Sequence, residues 1–454
     1  MGIFSALSNA ASAMSVFGQS LNVIENNISN SSTPGYAEQE QSLVAAPFEP
    51  TTGLTGGVLA GPLISSRSEY LEQSVRSQTE LLGSAEQQAS DLGQIQPLFS
   101  LTSTSGVDSS LNTFFNSFSQ LGVNPNDAID RQAVINSAQQ VAGSINSTAA
   151  GINQVLSNVS TQTGDVVANI NQITGQITEI NQVIQSDAGA SQDAGLDAQM
   201  HTALESLSEL TNYTVIKAGD GTDSVYIGGQ TPLVLGNTQF RISAEANSPQ
   251  TVILDSQGND ITSQISQGQL GALIGEKNTT LPGYMTSLNT LASSLSDTVN
   301  GQLFQGVDQN GTAGAPLFNY DQVSDAAESL AVTSITTDQI AAASPSAPNG
   351  NANAIALANL ATTPAANGFT FTQMYANLGT QVGNDVATAT QNQTQYQNQV
   401  TQAQAQRSSQ EGVSLNAEAA KLLQFQQAYA AVGKLISVLD GLTEDVINIV
   451  VPTA

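Results

Sequence analysis

The sequence predicts an α+β protein, mainly α: a discontinuous helical bundle with coiled-coil-like terminal helices and a small inserted β-domain. Three observations carry this. Apolar residues step by fours and threes at both ends of the chain. A middle row, Ile145, Ile152, Val159, Val166, Ile173 and Ile180, recurs every seven residues. Between residues 211 and 275, short β-prone runs alternate with clusters of Gly, Asn and Asp.

The first helix follows from Ile3, Leu7, Ala10, Met14, Phe17, Leu21, Ile24 and Ile28, an unbroken seam over four heptads. It stops at Thr33-Pro34-Gly35-Tyr36. Pro34 presets φ for the first central position of a type II turn, and Gly35 supplies the positive φ of the second. Residues 39–46 and 57–66 read as two short strands, joined by a loose loop through Pro47, Pro50 and Gly53. Helix resumes at Ser68, a candidate N-cap, with Glu69 and Glu72 suited to the first turn. A shorter helix through Leu111, Phe114, Phe115, Phe118 and Leu121 ends at Gly122 and Asn124-Pro125.

The longest periodic stretch spans residues 127–185, with a companion row of Ile170, Ile177 and Ile184. Asn, Gln, Ser and Thr lie between its apolar rows instead of charges. Such residues are mediocre helix formers, so burial of the apolar stripe must supply the stability. A further amphipathic helix covers residues 196–210.

The β-prone runs are 213–217, 224–227, 233–235, 239–244 and 251–255, separated by Gly219-Asp220-Gly221, Gly228-Gly229, Gly236-Asn237 and residues 257–260. Helical periodicity returns over 284–303, with Pro282 marking its start. A Gly- and Asp-rich loop, a strand-like run at 330–335 and a Pro-rich loop at 344–350 follow. A last helical region runs from Thr372 to the end and loosens at 408–412. Its seam is Leu415, Ala419, Leu422, Phe425, Tyr429, Val432, Ile436, Leu439, Leu442, Val446 and Ile449.

Two seams at opposite ends cannot bury themselves alone. The economical arrangement pairs the ends with each other and with neighbouring copies. The expected assembly interface is therefore Ile3, Leu7, Met14, Phe17, Leu21, Ile24 and Ile28 with Leu415, Leu422, Phe425, Tyr429, Val432, Ile436, Leu439 and Val446, beside the turn Pro34, Gly35 and Tyr36. The expected division is 1–37 with 410–454 as an inner terminal-helix domain, 38–210 with 276–409 as the bundle, and 211–275 as the β-domain.

Composition narrows the function. Nine Lys and Arg stand against 37 Asp and Glu, a net charge of −28. That surface repels nucleic-acid backbones and anionic membranes, so neither is an expected partner. With no Cys and one His, thiol chemistry and zinc–thiolate sites are excluded. GxSxG, SxxK and HExxH are absent, and neither an enzyme nor a cofactor or metal is expected. His201 sits among Leu196, Met200, Leu204 and Leu207 and reads as structural. Residues 219–225 match part of a calcium-binding β-roll, but no second copy follows to share ions, so a hairpin turn is expected. Asp308-Gln309-Asn310-Gly311 opens like an EF-hand without its closing Glu, and reads as a loop. No basic residue precedes Arg67, so the start lacks the n-region of a secretory signal.

Ser20-Leu21-Asn22-Val23-Ile24-Glu25-Asn26-Asn27-Ile28-Ser29-Asn30, followed by Thr33–Tyr36, resembles the N-terminal signature of flagellar rod, hook and hook-associated proteins. Residues 412–420 and 423–429 resemble their C-terminal counterpart. Residues 268–273, 281–284, 288–292, 299–300, the 308–314 loop, Phe318 and 335–342 together resemble the hook–filament junction family. Ala37-Glu38-Gln39 departs from it, where a basic residue usually follows the turn; so do Met200-His201-Thr202 and Glu276-Lys277-Asn278, where Arg–Asp pairs are usual. The chain is short for the family, which implies a reduced outer domain.

The resemblance implies a self-assembling structural role between hook and filament, at the outside of the cell. It implies export through the flagellar type III apparatus without a cleaved signal, with an export chaperone on the C-terminal helix. The implied neighbours are further copies, the hook protein and a second hook-associated junction protein. Another axial protein, a hook or rod subunit, is the alternative, although a hook subunit needs a mainly β middle. More distant is a secreted enzyme or adhesin with flagellar-type export ends.

Overall fold

The computed structural model describes residues 2–49, 54–99, 106–187, 189–322 and 325–450. Helix α1 (Ile3–Asn30) leads into an antiparallel ribbon, β1 (Gln39–Ala45) against β4 (Val58–Ser65). The short pair β2 (Phe48–Glu49) and β3 (Leu54–Thr55) extends it. The expected loop through Pro50 and Gly53 lies outside the described residues, as does the side chain of Ile449.

The bundle comprises α2 (Glu69–Ile95), α3 (Val107–Val123), α4 (Ala128–Ser186) and α5 (Ala194–Leu210). After the β-insertion it adds α6 (Gly268–Gly275), α7 (Leu281–Phe304), α8 (Ala326–Ser329), α9 (Ala352–Asn359) and α10 (Phe371–Glu411). α10 runs along α2, which also packs on α5 and α6, while α4 packs on α3 and α5. α4 is 59 residues long and opens at Asp127, whose side chain accepts from the Ile129 and Asp130 amides. Most of its Ile and Val rows are buried, with Ile173 and Ile184 half-buried. Aromatic rings lock one end of the core: Phe115 stacks on Phe371 at 5.7 Å, and Phe114 meets Phe318 edge-on at 5.5 Å.

The β-insertion is a four-stranded meander, β5 (Tyr213–Lys217), β6 (Asp223–Ile227), β7 (Thr231–Leu235) and β8 (Thr238–Gln239), beside the pair β9 (Ser243–Glu245) and β10 (Val252–Leu254). β11 (Phe318–Asn319) pairs with β12 (Ala331–Val332). The turn at Gly219–Gly221 joins β5 to β6, with Gly221 at φ +88°. No described helix is long and apolar enough to cross a membrane.

Three local expectations change. Ser68 stands at the N-cap of α2 but its hydroxyl does not cap it; its amide donates instead to Glu411 Oε1 at 2.9 Å. The run 239–244 breaks into β8 and β9. Pro282 does not start an independent helix: α6 continues into α7 through a π-helical turn, Glu276–Thr280. Residues 268–275 are thus helix packed on α2, not part of a β-unit. That π-turn buries Glu276 facing Asp91 of α2, which is itself buried. Burial, reinforced by Asp91, pushes the Glu276 carboxyl up to about 10.

The polar residues between the apolar rows have a specific use. Among the described residues, five Asn side chains each grip one residue of another segment by both its N–H and its C=O. Asn27 takes Gln39 (3.0 and 2.8 Å), and Asn171 takes Ile242 (3.0 and 2.8 Å). Asn181 takes Asp223 (3.0 and 2.7 Å), Asn278 takes Thr251 (2.7 and 2.9 Å), and Asn300 takes Phe318 (3.1 and 2.8 Å). An amide side chain presents one acceptor and two donors, so it completes a peptide as a neighbouring strand would. The Asn171 grip accounts for the break between β8 and β9. In a chain short of charge, these amides dock strands and loops onto helices.

Candidate assembly interface

The last helix, α11 (Leu415–Val450), lies antiparallel against α1. Asn27 faces Glu418, Phe17 meets Phe425 edge-on at 5.9 Å, Tyr429 lies over Gly18, and Met14 lies over Gly433. The ribbon β1–β4 packs along α1. These parts form a terminal unit that shares no extensive helix–helix packing with the bundle among the described residues.

Within this unit Ile24 is buried. Ile3, Leu7, Met14, Phe17, Leu21 and Ile28 on α1, and Leu422, Phe425, Val432, Ile436 and Leu439 on α11, are half-buried. Leu415, Tyr429 and Val446 are exposed. Two helices alone cover each other on one side only, so the predicted seams pair in cis and stay partly open. The structure also places Val16, Ser20 and Asn27 in the buried row, flanking the predicted seam.

The chain crosses between terminal unit and bundle at residues 31–38, 66–68 and 412–414, and all three crossings meet in one polar joint. Tyr36 N donates to Thr33 O at 3.2 Å, closing the expected turn, with Gly35 at φ +73°. A Cβ on Gly35 would lie 2.5 Å from Thr202 Oγ1 and 2.6 Å from the Ala198 carbonyl oxygen, so only glycine lets the turn sit on α5. Arg67 ties the crossings together. It donates to the Gly35 carbonyl at 2.6 Å and to Asp197 at 2.7 Å, and pairs with Glu72. Arg407 joins Glu72 at 3.1 Å and Glu205 at 2.8 Å. Glu411, the last residue of α10, accepts at its carbonyl from Glu38 N (2.8 Å) and Ser66 Oγ (3.1 Å).

Electrostatics follow from burial. His201, 5% exposed, drops to about 4 because burial, and then the Arg67 charge, disfavour its cation. It packs between Glu72 and Asp197, 3.8 and 3.7 Å from their carboxylates. Burial pushes the Glu411 carboxyl up to about 7, and the neighbouring Glu72 adds to this. Burial also opposes ionisation of Glu72, but the basic groups around it outweigh that and hold its pKa below the usual value. No cluster of three or more potential metal ligands occurs among the described residues.

Asn27 is the keystone of the terminal unit. Besides Gln39 it accepts from Tyr36 Oη at 2.9 Å and donates to Glu418 Oε2 at 3.0 Å. Glu418, fully buried, lies 2.8 Å from Lys421 Nζ, which reaches Glu38 at 2.6 Å. Asn27→Asp keeps the shape but removes both donors and sets a carboxylate against Glu418. The expected loss is about 1–3 kcal/mol for the unmade hydrogen bonds alone. In the assembled protein, where α1 and α11 are covered, amide exchange should show lost protection in both helices with the bundle unchanged.

Sequence reading missed Asn27 and the Arg67–Glu72–Arg407–Glu411 joint. The available signals were helix-interior Asn, which propensity disfavours, and the placement of two of only nine basic residues beside helix breaks.

A helical pair carrying an N-terminal rod-type signature, joined to a large helical middle, defines the class, and comparison with known proteins agrees. Residues 7–36 match the family described as Flagella basal body rod protein. Residues 92–318, half of the chain, match the family described as Flagellar hook-associated protein FlgK helical domain. The chain belongs to the flagellar hook-associated protein FlgK family, and is a structural component of the bacterial flagellum. It is 26% identical to flagellar hook-associated protein 1 of Bacillus subtilis over 98% of both chains. It is also 26% identical to the protein of that name from Salmonella typhimurium, over 74% of this chain and 64% of that protein. The solved flagellar hook junction protein FlgK from Burkholderia pseudomallei shares the fold, with a TM-score of 0.67 at 18% identity over 74% of this chain and 100% of that one.

Proposed function

We propose that this chain forms the junction between flagellar hook and filament, acting through binding and not catalysis. The observation that carries this is the terminal unit, a helix pair whose apolar seams are only half covered in one copy and which meets the bundle at a polar joint. The interface residues on α1 and α11 pair in cis and present their open sides to neighbouring copies in a helical lattice, to the hook protein and to a second junction protein. Before assembly, an export chaperone covers α11, and the chain leaves through the flagellar export apparatus with its N-terminus uncut. The division expected from sequence is kept with two changes: the ribbon 39–65 moves with the terminal unit, and residues 268–275 move with the bundle.

Deleting the gene should leave hooks without filaments and flagellin shed into the medium; electron micrographs showing normal filaments would contradict the reading. Leu21→Asp places a charge in the half-buried seam and should abolish assembly in sedimentation while the bundle keeps its melting transition. Full motility of a Leu21→Asp strain would remove α1 from the interface. In dilute monomer, α1 should exchange its amides quickly, because a lone helix pair of this composition is marginal.

A further inference from the structure

The ribbon β1–β4 packs along α1, but several of its apolar residues, with Phe48 of the adjoining β2, stay largely open. Leu43, Val44, Phe48, Leu59 and Ile64 are 45–60% exposed. Between the ribbon and the α1–α11 pair runs a groove of about 340 Å³, lined by Val23, Ile24, Leu43, Ile64 and Phe425 together with polar residues that include Glu418 and Lys421. The groove continues the α1–α11 seam, since Ile24 and Phe425 line both. Glu40 stands at its edge, exposed and without an ion-pair partner among the described residues.

A second unpartnered surface lies on α11. Leu435, Val438 and Leu442 are 47–60% exposed and fall at i, i+3 and i+7, one continuous face outside the row that meets α1. Lys434, exposed and likewise unpaired among the described residues, flanks this face.

These two surfaces cannot meet within one molecule. Val438 is 13 residues beyond Phe425 on the same helix, about 20 Å along a rigid rod. The groove and the row therefore suit each other only between copies. Because they are different patches, a single contact leaves one groove and one row free, so the contact can propagate from copy to copy as a heterologous one.

We infer that the β1–β4 groove is the socket for the Leu435–Val438–Leu442 face of α11 from a second copy of this chain. This rests on the assembly reading above and adds which surfaces meet. Ile64 and Leu43 on one side, and Phe425 and Ile24 on the other, close over the incoming side chains. Lys434 of the incoming helix pairs with Glu40, giving the contact a direction. Seating Val438 opposite Phe425 displaces successive copies by about 20 Å along α11.

The chain has no Cys, so engineered thiols report without background. The test uses the full chain with Ile64→Cys and Val438→Cys, two exposed positions, with folding of each variant checked by circular dichroism. Assembly is first established by sedimentation, and the protein is then oxidised. The double variant is expected to give a ladder extending past the dimer. An equimolar mixture of the single variants should give dimers only, and each single variant alone should stay monomeric on a denaturing gel. Pairing Ile64→Cys with Val123→Cys, an exposed residue of α3, should give no ladder. Glu40→Lys should lower the yield of the Ile64–Val438 ladder by a factor of up to about five, and Lys434→Glu in the same chain should restore it. Assembly without the ladder overturns the socket and leaves the assembly role standing. Self-cross-linking of either single variant overturns it in favour of an isologous contact. Failure to sediment as an assembly at any concentration overturns both readings.

Discussion

Arg67→Ala is expected to lower stability by about 3–5 kcal/mol and to free the terminal unit from the bundle. Removing one partner of a buried ionic cluster leaves the others desolvated and unpaired, which is what sets this scale. Glu72 is 2% exposed and Arg67 contributes much of its compensation; Asp197 and the Gly35 carbonyl lose a donor as well. Without the guanidinium, Glu72 and Glu411 prefer to be protonated in the folded state. A carboxyl whose folded pKa is raised contributes stability that is present at low pH and lost as pH rises. The deficit of Arg67→Ala should thus be largest at pH 7–9 and narrow toward pH 5. Calorimetry across that range checks it. A deficit independent of pH would mean that lost packing, not stranded charge, carries the effect.

Glu276→Gln is expected to stabilise the bundle at alkaline pH. Glu276 is 2% exposed and faces Asp91 with no basic partner among the described residues, and its pKa rises from an ordinary 4.5 to about 10. Folding above pH 4.5 therefore requires the chain to keep a proton that the unfolded state has released. The cost grows by about 1.4 kcal/mol per pH unit until the folded group itself ionises. Its stabilising contribution is full below pH 4.5 and is lost on the way up to about 10. The neutral amide removes the dependence, so a gain of a few kcal/mol should appear near pH 8 and vanish near pH 4.5. Urea unfolding at both pH values is the measurement; parallel wild-type and variant profiles would refute it.

The legible parts of this fold were those encoded by local spacing. The α1 seam, the Pro34–Gly35 turn and the Asp127 start of α4 each sit within a few residues of their own signal. Long-range polar geometry was not legible. Asn27 and Glu418 are 391 positions apart, and no periodicity marks either. The same holds for Arg67 with Asp197. Pro282 misled for a local reason: a proline near the start of a helix normally marks an end, but following a π-turn it occupies a place where the helix needs no amide donor. The candidate interface was half legible. Periodicity placed the seam residues on α1 and α11, and the runs 39–46 and 57–66 read as strands, but nothing local showed that this ribbon packs along α1.

The way the β-meander rests on α4 bears on how relatives of this chain can gain or lose outer parts. α4 runs past the bundle, and its last third serves the insertion through Asn171 and Asn181. A deletion that rejoined residues 211 and 268 would remove the strands but leave those amides facing nothing, at about 1–3 kcal/mol each if they stay dry. The insertion is thus not a cassette. Descendants that shed it are expected to carry replacements at both asparagines in the same step of divergence.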